Sequence, residues 1–325
     1  LFYKAAVFRY LQNNLIHNRH KLYKKTKADT MTQPKISVLT PVYNTKPDAL
    51  RAMIDSILSQ TFTDFEFLIL NDSPNNTELE NIVMSYTDKR IRYMKNDCNM
   101  GITKSRNKLI DLARGEYLAI ADHDDISMPD RLKLESDFLD NNPHIGAVGG
   151  NVIEIKNGKE YPTAQRPIHD HDIKLSLIND TYVCNPVHSG CMIRKSVLDT
   201  SGVRYTEKFS PCEDRMLFID LIPHTFFHNL PDVVLKYLWD GNNTTIRQWQ
   251  KMYDLPPTIV AYAREKYPIY YDEWKQLQQY KPVRKTKTIK ILGFMPIITI
   301  KAYGKCTKIY LFNKIQIIRI NHKSM

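Results

Sequence analysis

The sequence predicts an α/β protein in which a mostly parallel sheet carries helices on both faces. Three observations support that prediction. Strand-like and helix-like segments alternate four times within the first 125 residues. The strand segments are unbroken apolar runs, as in strands buried on both sides, and polar turn residues follow them.

"KISVLTPVY" (35–43) is β-branched and apolar, bounded by Pro34 and by turn residues at 44–47, and reads as the first buried strand. Across 48–60, Leu50, Ile54, Ile57 and Leu58 recur at helical spacing. "FEFLIL" (65–70) is the second strand, and it runs into Asn71, Asp72, Ser73, Pro74, Asn75 and Asn76. Residues 77–86 read as helix, "IRYMK" (91–95) as the third strand, and 102–113 as a helix opened by Gly101 and followed by Gly115. "EYLAIAD" (116–122) is the fourth strand. Beyond it, 129–141 reads as a helix with Pro129 at its start, "IGAVGGNVIEI" (145–155) resumes strand character, and helical stretches return within 245–267 and 270–280.

Composition is that of a folded protein: 42% hydrophobic and 25% charged residues over 325 positions suffice for the core of one large domain or two ordinary ones. The five cysteines are odd in number and form no CxxC pair, which argues against a disulfide framework and predicts a reducing, cytoplasmic setting. No apolar run is long enough to span a bilayer, and the N-terminal stretch lacks the apolar core of a signal peptide. Charge is unevenly spread. Residues 1–35 hold eight Lys/Arg against Asp29 alone, and 281–325 hold eleven Lys/Arg and no acid. With a total of +11, the body between them is acidic. Nucleic-acid binders usually place positive charge on the folded recognition surface, so this distribution argues against that class.

The fourth strand ends abruptly in Asp122, His123, Asp124 and Asp125. Clustered carboxylates repel one another and resist desolvation unless a cation or solvent compensates them. A solvated acidic loop is one reading; a ligand site is the other. In open parallel sheets, ligands bind beyond the carboxyl ends of the strands. Four polar loops meet there: 42–44, 71–76, 97–99 and 122–125. In an extended segment residues i and i+2 share a side, so Asp122 and Asp124 can face one ligand while His123 points away in a structural role.

"SVLTPVYN", "LNDSPNN", "NMGITKSRN" and "YLAIADHDD" together resemble the successive motifs of the family 2 glycosyltransferases. "CEDRMLFIDL" (212–221) resembles that family's acidic base motif, and "NPVHSGCMIRKSVLDTSG" (185–202) is similar to the segment before it in bacterial lipopolysaccharide- and capsule-type members. The resemblance covers roughly 34–245 and implies the GT-A fold, an inverting mechanism, and a metal, Mn²⁺ or Mg²⁺, at the nucleotide-sugar diphosphate. Such a cation stabilises the departing diphosphate as a Lewis acid and prefers oxygen ligands. The resemblance further implies Asp122 near the ribose, Asp124 on the metal and Asp125 positioning donor-sugar hydroxyls, with His123 inside the same cofactor-binding segment. Pro41, Val42, Tyr43 and Asn44 resemble the base-cradling strand end; Tyr43 either stacks on the base or fills the core. Asp72 resembles the acid that holds uracil, and a plain Asx-turn is its alternative. One acid and the Gly of the usual pattern are absent at 71–74.

Arg106 supplies charge near the diphosphate or supports the acidic loop through a salt bridge. Asp214 is implied as the base that takes the acceptor hydroxyl proton, with Glu213 orienting the acceptor; an acidic first turn complementing the helix dipole is the alternative. His188 matches an acceptor-side position, and a satisfied core histidine is its alternative. Asp240 stands where the family often has a metal-site His, and as a carboxylate it is a third candidate ligand for a hard cation. Trp249 reads as packing in the core or on the acceptor side.

In the tail, "ILGFMPIITIK" (291–301) and "LFNKIQIIRIN" (311–321) align at an offset of 20, matching Ile297, Ile298 and Ile300 with Ile317, Ile318 and Ile320. The runs read as a β-hairpin-like appendage whose lysines discourage edge pairing. The chain thus divides into a basic N-terminal extension (1–33), a GT-A catalytic domain (34–245), a helical segment (246–280) and the basic tail (281–325). The expected donor is a nucleotide sugar, UDP-linked, and the expected acceptor a surface glycan or glycolipid. The basic ends would attach the protein peripherally to an anionic membrane on its cytoplasmic face, each basic residue contributing on the order of 1 kcal/mol. An oligomerisation arm is the other reading of the tail, with a homo-oligomer its consequence. A nucleotide-sugar-binding scaffold without catalysis is the alternative function.

Overall fold

The computed structural model describes residues 33–180, 184–239, 241 and 243–280, and four strands within 285–321. The first four strands, β1 (Ile36–Val42), β2 (Phe65–Asn71), β3 (Ile91–Lys95) and β4 (Tyr117–Ile120), alternate with helices α1 (Pro47–Leu58), α2 (Thr77–Met84) and α3 (Ile102–Leu112). They lie in the order β3–β2–β1–β4, and every pairing among them is parallel. The sheet continues through β8 (Met192–Arg194), β6 (Ile145–Lys156), β9 (Phe226–Trp239) and the short β5 (Ile126–Ser127), with β7 (Lys159–Pro162) paired to β6. Beyond β4 the pairing is mixed: β4–β8 and β6–β8 are antiparallel, β6–β9 parallel and β5–β9 antiparallel.

The apolar runs of β1, β2 and β4 are buried along their whole length. Because successive strand side chains point to opposite faces, each run feeds two cores at once. Leu39, Leu68, Leu70, Leu118 and Ile120 pack with α3, α5 (Asp170–Asn179), α7 (Glu213–Leu221) and α9 (Trp249–Lys266). Val38, Phe67, Ile69 and Ala119 pack on the other face with α1, α2 and α4 (Arg131–Asn141). Ile259 and Ala263 of α9 join the first core, so the helices after residue 245 pack onto the sheet body. β3, at the edge, is only half-buried and carries Arg92 and Lys95, a charged edge that discourages further pairing.

Helix α3 crosses back from β3 to place β4 on the far side of β1. The chain therefore reverses its winding between β1 and β4, and the crevice beyond their carboxyl ends is the switch point where ligands bind in such sheets.

Arg131, at the start of α4, is wholly buried. Its Nη2 donates to the carbonyls of Ile120 (2.8 Å) and Cys191 (3.3 Å), its Nη1 to Ser127 Oγ (3.1 Å), and its Nε to Glu135 Oε2 (3.2 Å). These bonds anchor the last residue of β4 and so fix where the acidic segment begins. Burial pushes the Glu135 carboxyl up to about 7 despite the facing guanidinium.

The tail holds β10 (Lys285–Lys290), β11 (Pro296–Tyr303), β12 (Cys306–Leu311) and β13 (Ile315–Asn321), an antiparallel four-stranded sheet in chain order. Ile289 pairs with Ile298, and Ile309 with Ile318. The 20-residue repeat thus generates two hairpins with one shared register, joined through β11–β12, rather than a single hairpin.

Replacing Arg131 by Met strips Glu135 of its buried partner and frees the Ile120 carbonyl. The expected loss is about 3–5 kcal/mol, read as a fall in the urea midpoint.

Candidate active site

The loops after β1, β2, β3 and β4 meet, with segments from residues 184–189, 210–214 and 243–252, around a cleft of about 540 Å³. A second cavity, of about 640 Å³, is lined by the 72–78 and 97–99 loops and shares Tyr43, Asp72 and Asn99 with the cleft.

The acidic segment differs from the extended strand end that the sequence suggests. β4 stops at Ile120 and the chain turns at His123–Asp124, with Asp125 N–H donating to the Asp122 carbonyl (3.4 Å). Strand alternation therefore fails here. Asp122, His123 and Asp124 all line the cleft. Asp125 instead points into the protein, 2% exposed, accepting from Ser189 Oγ (2.6 Å) and the Leu238 amide (3.3 Å). Burial, reinforced by Asp124 and Asp122, pushes its carboxyl well above the ordinary range. Asp125 thus ties the turn to β9 and to the segment at 188–190; it does not line the cleft. The expectation that it positions donor-sugar hydroxyls is corrected to a structural role.

Arg106, projecting from α3, is the buried cation of the site. Its Nη2 donates to Asp122 Oδ1 and its Nη1 to Glu213 Oε1, each at 2.9 Å. Its guanidinium also sits 5.5 Å from the Tyr205 ring centroid, within cation–π range. Burial opposes this charge, but Asp122, Tyr205 and Glu213 outweigh burial and raise its pKa. Burial likewise works against the Asp122 charge, and Arg106 holds that carboxyl below its usual range. Of the two roles open to Arg106, the salt bridge to the acidic loop is present in the fold, and it reaches the base motif as well.

Glu213 and Asp214 open α7. Glu213 is 4% exposed, borders the cleft, and has one carboxylate oxygen held by Arg106. Asp214 is only half-buried and lines the cleft. Desolvation, with Glu213 next in size, pushes its carboxyl up to about 6. His188 Nε2 lies 2.7 Å from the Tyr205 hydroxyl, on the floor of the cleft. Burial, reinforced by Arg106, pushes its imidazole down to about 3, so it is neutral at physiological pH. Its satisfied-core reading and its place beside the cleft hold together.

On the neighbouring side, Pro41, Val42 and Tyr43 line the cleft, Tyr43 being 42% exposed rather than core. Asn44, at φ 46°, donates its amide to Ser73 Oγ (2.9 Å). The Asx-turn that is the alternative reading of Asp72 is made by its neighbour: Asn71 Oδ1 accepts from the Ser73 amide (2.7 Å). Asp72 accepts from the amides of Met100 (2.8 Å) and Gly101 (2.9 Å) and from Asn96 Nδ2 (2.7 Å). It therefore holds the entry to α3, where Gly101 has φ 84°, a conformation other residues rarely adopt.

A hard cation fits the half-buried acids of the cleft. Asp122 and Asp124 present only oxygen donors to the cleft. Among the described residues no cluster of three or more His, Cys, Asp or Glu could hold a metal ion. Asp240 lies outside the described residues.

The chain's residues 37–202 match the model of the family described as Glycosyl transferase family 2. The chain belongs to that family. The uncharacterized glycosyltransferase MJ1057 of Methanocaldococcus jannaschii is 34% identical over 214 residues, 64% of this chain and 71% of that protein. WcaA of Escherichia coli (strain K12), which carries a colanic acid biosynthesis name, is 39% identical over 102 residues, 31% of this chain and 36% of that protein. The glycosyltransferase also shares its fold with the crystal structure of S. aureus TarS 1-349 in complex with UDP-GlcNAc, at TM-score 0.54 and 21% identity, over 64% of this chain and 60% of that one. The fold is GT-A.

Tyr205 and Cys184 are parts of this glycosyltransferase's site that lie outside every quoted motif. Tyr205 is placed by Asn107, whose side-chain amide bonds both its carbonyl and its N–H at 3.0 Å. The Asn following Arg106 in "KSRN" was the available signal.

Arg106→Gln leaves Asp122 and Glu213 facing a common space without a cation, at an expected cost of about 3–5 kcal/mol in urea unfolding. Arg106→Lys restores only part of this, because an ammonium lacks the fork that reaches both acids.

Proposed function

We propose that this glycosyltransferase moves a hexose or N-acetylhexosamine from a nucleotide sugar, UDP-linked, to a surface-glycan or lipid-linked acceptor, with inversion and with Mn²⁺ or Mg²⁺. One observation carries the reading: Asp124, from the turn after β4, and Asp214, from the first turn of α7, open onto one cleft, while Arg106 holds together the residues beside them.

Asp124, with Asp122, would hold the divalent cation, whose chemistry when bound is to neutralise the oxygens of the leaving diphosphate. Tyr43 and the 72–76 loop supply the wall on which the base would lie. That TarS carries UDP-GlcNAc on a shared fold is consistent with a UDP donor. Asp214 takes the proton of the acceptor hydroxyl as that oxygen attacks the anomeric carbon. Its raised carboxyl makes it a stronger base than an exposed Asp while leaving it ionised at neutral pH. A base on the cleft wall apart from the metal-side acids is what an inverting displacement needs. Glu213 and Arg106 keep that base at a set distance from the turn. The colanic acid name of WcaA and the basic ends of the chain support an acceptor at the cell surface. A binding protein without catalysis has no use for a half-exposed acid held at that place, so the enzyme reading is preferred.

A screen of nucleotide sugars for Mn²⁺-dependent hydrolysis tests the reading directly, and no turnover with any of them would count against it. Asp124→Ala is expected to abolish metal-dependent UDP binding in calorimetry. Asp214→Asn keeps UDP binding within a few-fold and lowers transfer by about 10²–10⁴-fold; transfer at the native rate would remove Asp214 as base. Because the base acts as carboxylate and its pKa is raised, transfer should be fully present above about pH 7. It should fall about tenfold per unit as pH drops below about 6, as read from the pH profile of kcat/KM.

A further inference from the structure

Trp249, which its sequence context suggests to be packing, is 65% exposed. With Ile246 (41%) and Tyr253 (61%) it accounts for three of the ten large apolar side chains exposed among the described residues, all three within eight positions of chain. They stand on α8 (Thr244–Arg247) and the first turns of α9. Arg247, Gln248, Gln250 and Lys251 between them are also exposed, as is Asp254, which accepts from Gln250 Nε2 (2.8 Å). From the same run, Arg247, Gln248 and Met252 line the catalytic cleft. The apolar cluster is therefore the outer rim of one cleft wall.

Aromatic rings with an apolar body and a polar tip, flanked by Arg and Lys, make up the side-chain set favoured at the boundary between acyl chains and headgroups. A water-facing surface gains nothing from that set, and large exposed apolar groups gathered together mark a binding face. Charge selects the occupant. Arg247 and Lys251 lie within the run, and the eleven Lys/Arg of 281–325 face no acid of their own segment. An anionic surface satisfies both.

We propose that Ile246, Trp249 and Tyr253 seat in the headgroup layer of an anionic bilayer, so that the catalytic cleft opens beside the membrane surface. This deepens the function proposed above and rests on its lipid-linked acceptor. The rim supplies orientation, which a basic tail alone cannot, since diffuse charge attraction fixes no rotational setting.

The test uses the full chain with vesicles of phosphatidylcholine containing phosphatidylglycerol, with and without brominated acyl chains. Of the three tryptophans, only Trp249 should be quenched by bromine, so Trp249→Phe should abolish the quenching. Trp249→Gln/Tyr253→Gln should weaken vesicle partitioning about tenfold at fixed salt, while the thermal midpoint and Mn²⁺-dependent UDP binding stay unchanged. Quenching that survives Trp249→Phe, or partitioning unaltered in the double variant, overturns the proposal. So does a Trp249 emission shift caused by self-association or by a free oligosaccharide instead of vesicles. The donor reading fails separately, on absent UDP binding by the unaltered chain.

Discussion

One guanidinium sets the geometry of the site. Arg106 reaches Asp122 at the end of the sheet and Glu213 at the head of α7. Bringing two carboxylates into a common buried space costs several kcal/mol unless a cation stands between them. The planar fork of arginine satisfies both with charge-assisted bonds and leaves little freedom in their separation. The turn after β4 and the helix that carries Asp214 are thereby held as one unit.

The acids of the site divide by what they touch. Both oxygens of Asp125 are spent on internal partners, as is one oxygen each of Glu213 and Asp122. Asp124 and Asp214 keep their place on the cleft wall. Desolvation then acts differently on each. Next to Arg106 the Asp122 carboxyl is driven down, whereas Asp214, beside Glu213 and in a partly dry place, is driven up. A buried cation placed beside one of two acids can in this way keep that acid ionised while the other is pushed up.

The 20-residue repeat folds as two hairpins of one register, an arrangement that spreads lysines along a sheet rather than a helix. The exposed aromatic run beside the cleft adds an apolar element to this basic character. Among the described residues, no helix is long and apolar enough to cross a membrane.

By itself the sequence determined the parallel sheet, its helices and the convergence of four loops, because apolar periodicity and turn residues are local properties of the chain. It also placed Asp124 and Asp214 in one site through motifs whose residues lie close together in sequence. Tertiary structure decided the rest. Strand alternation predicted the direction of each acid, but the chain turns at His123, and packing against Ser189 and Leu238 decided that Asp125 faces inward. Asp72 was legible as a loop acid, whereas its role in holding Gly101 depends on a helix 29 residues away in sequence. Arg106 could be read two ways until the fold brought Glu213 to it across 107 residues. Trp249 carries no local mark of exposure. Desolvation and long-range pairing belong to the packed chain, and no window of sequence contains them.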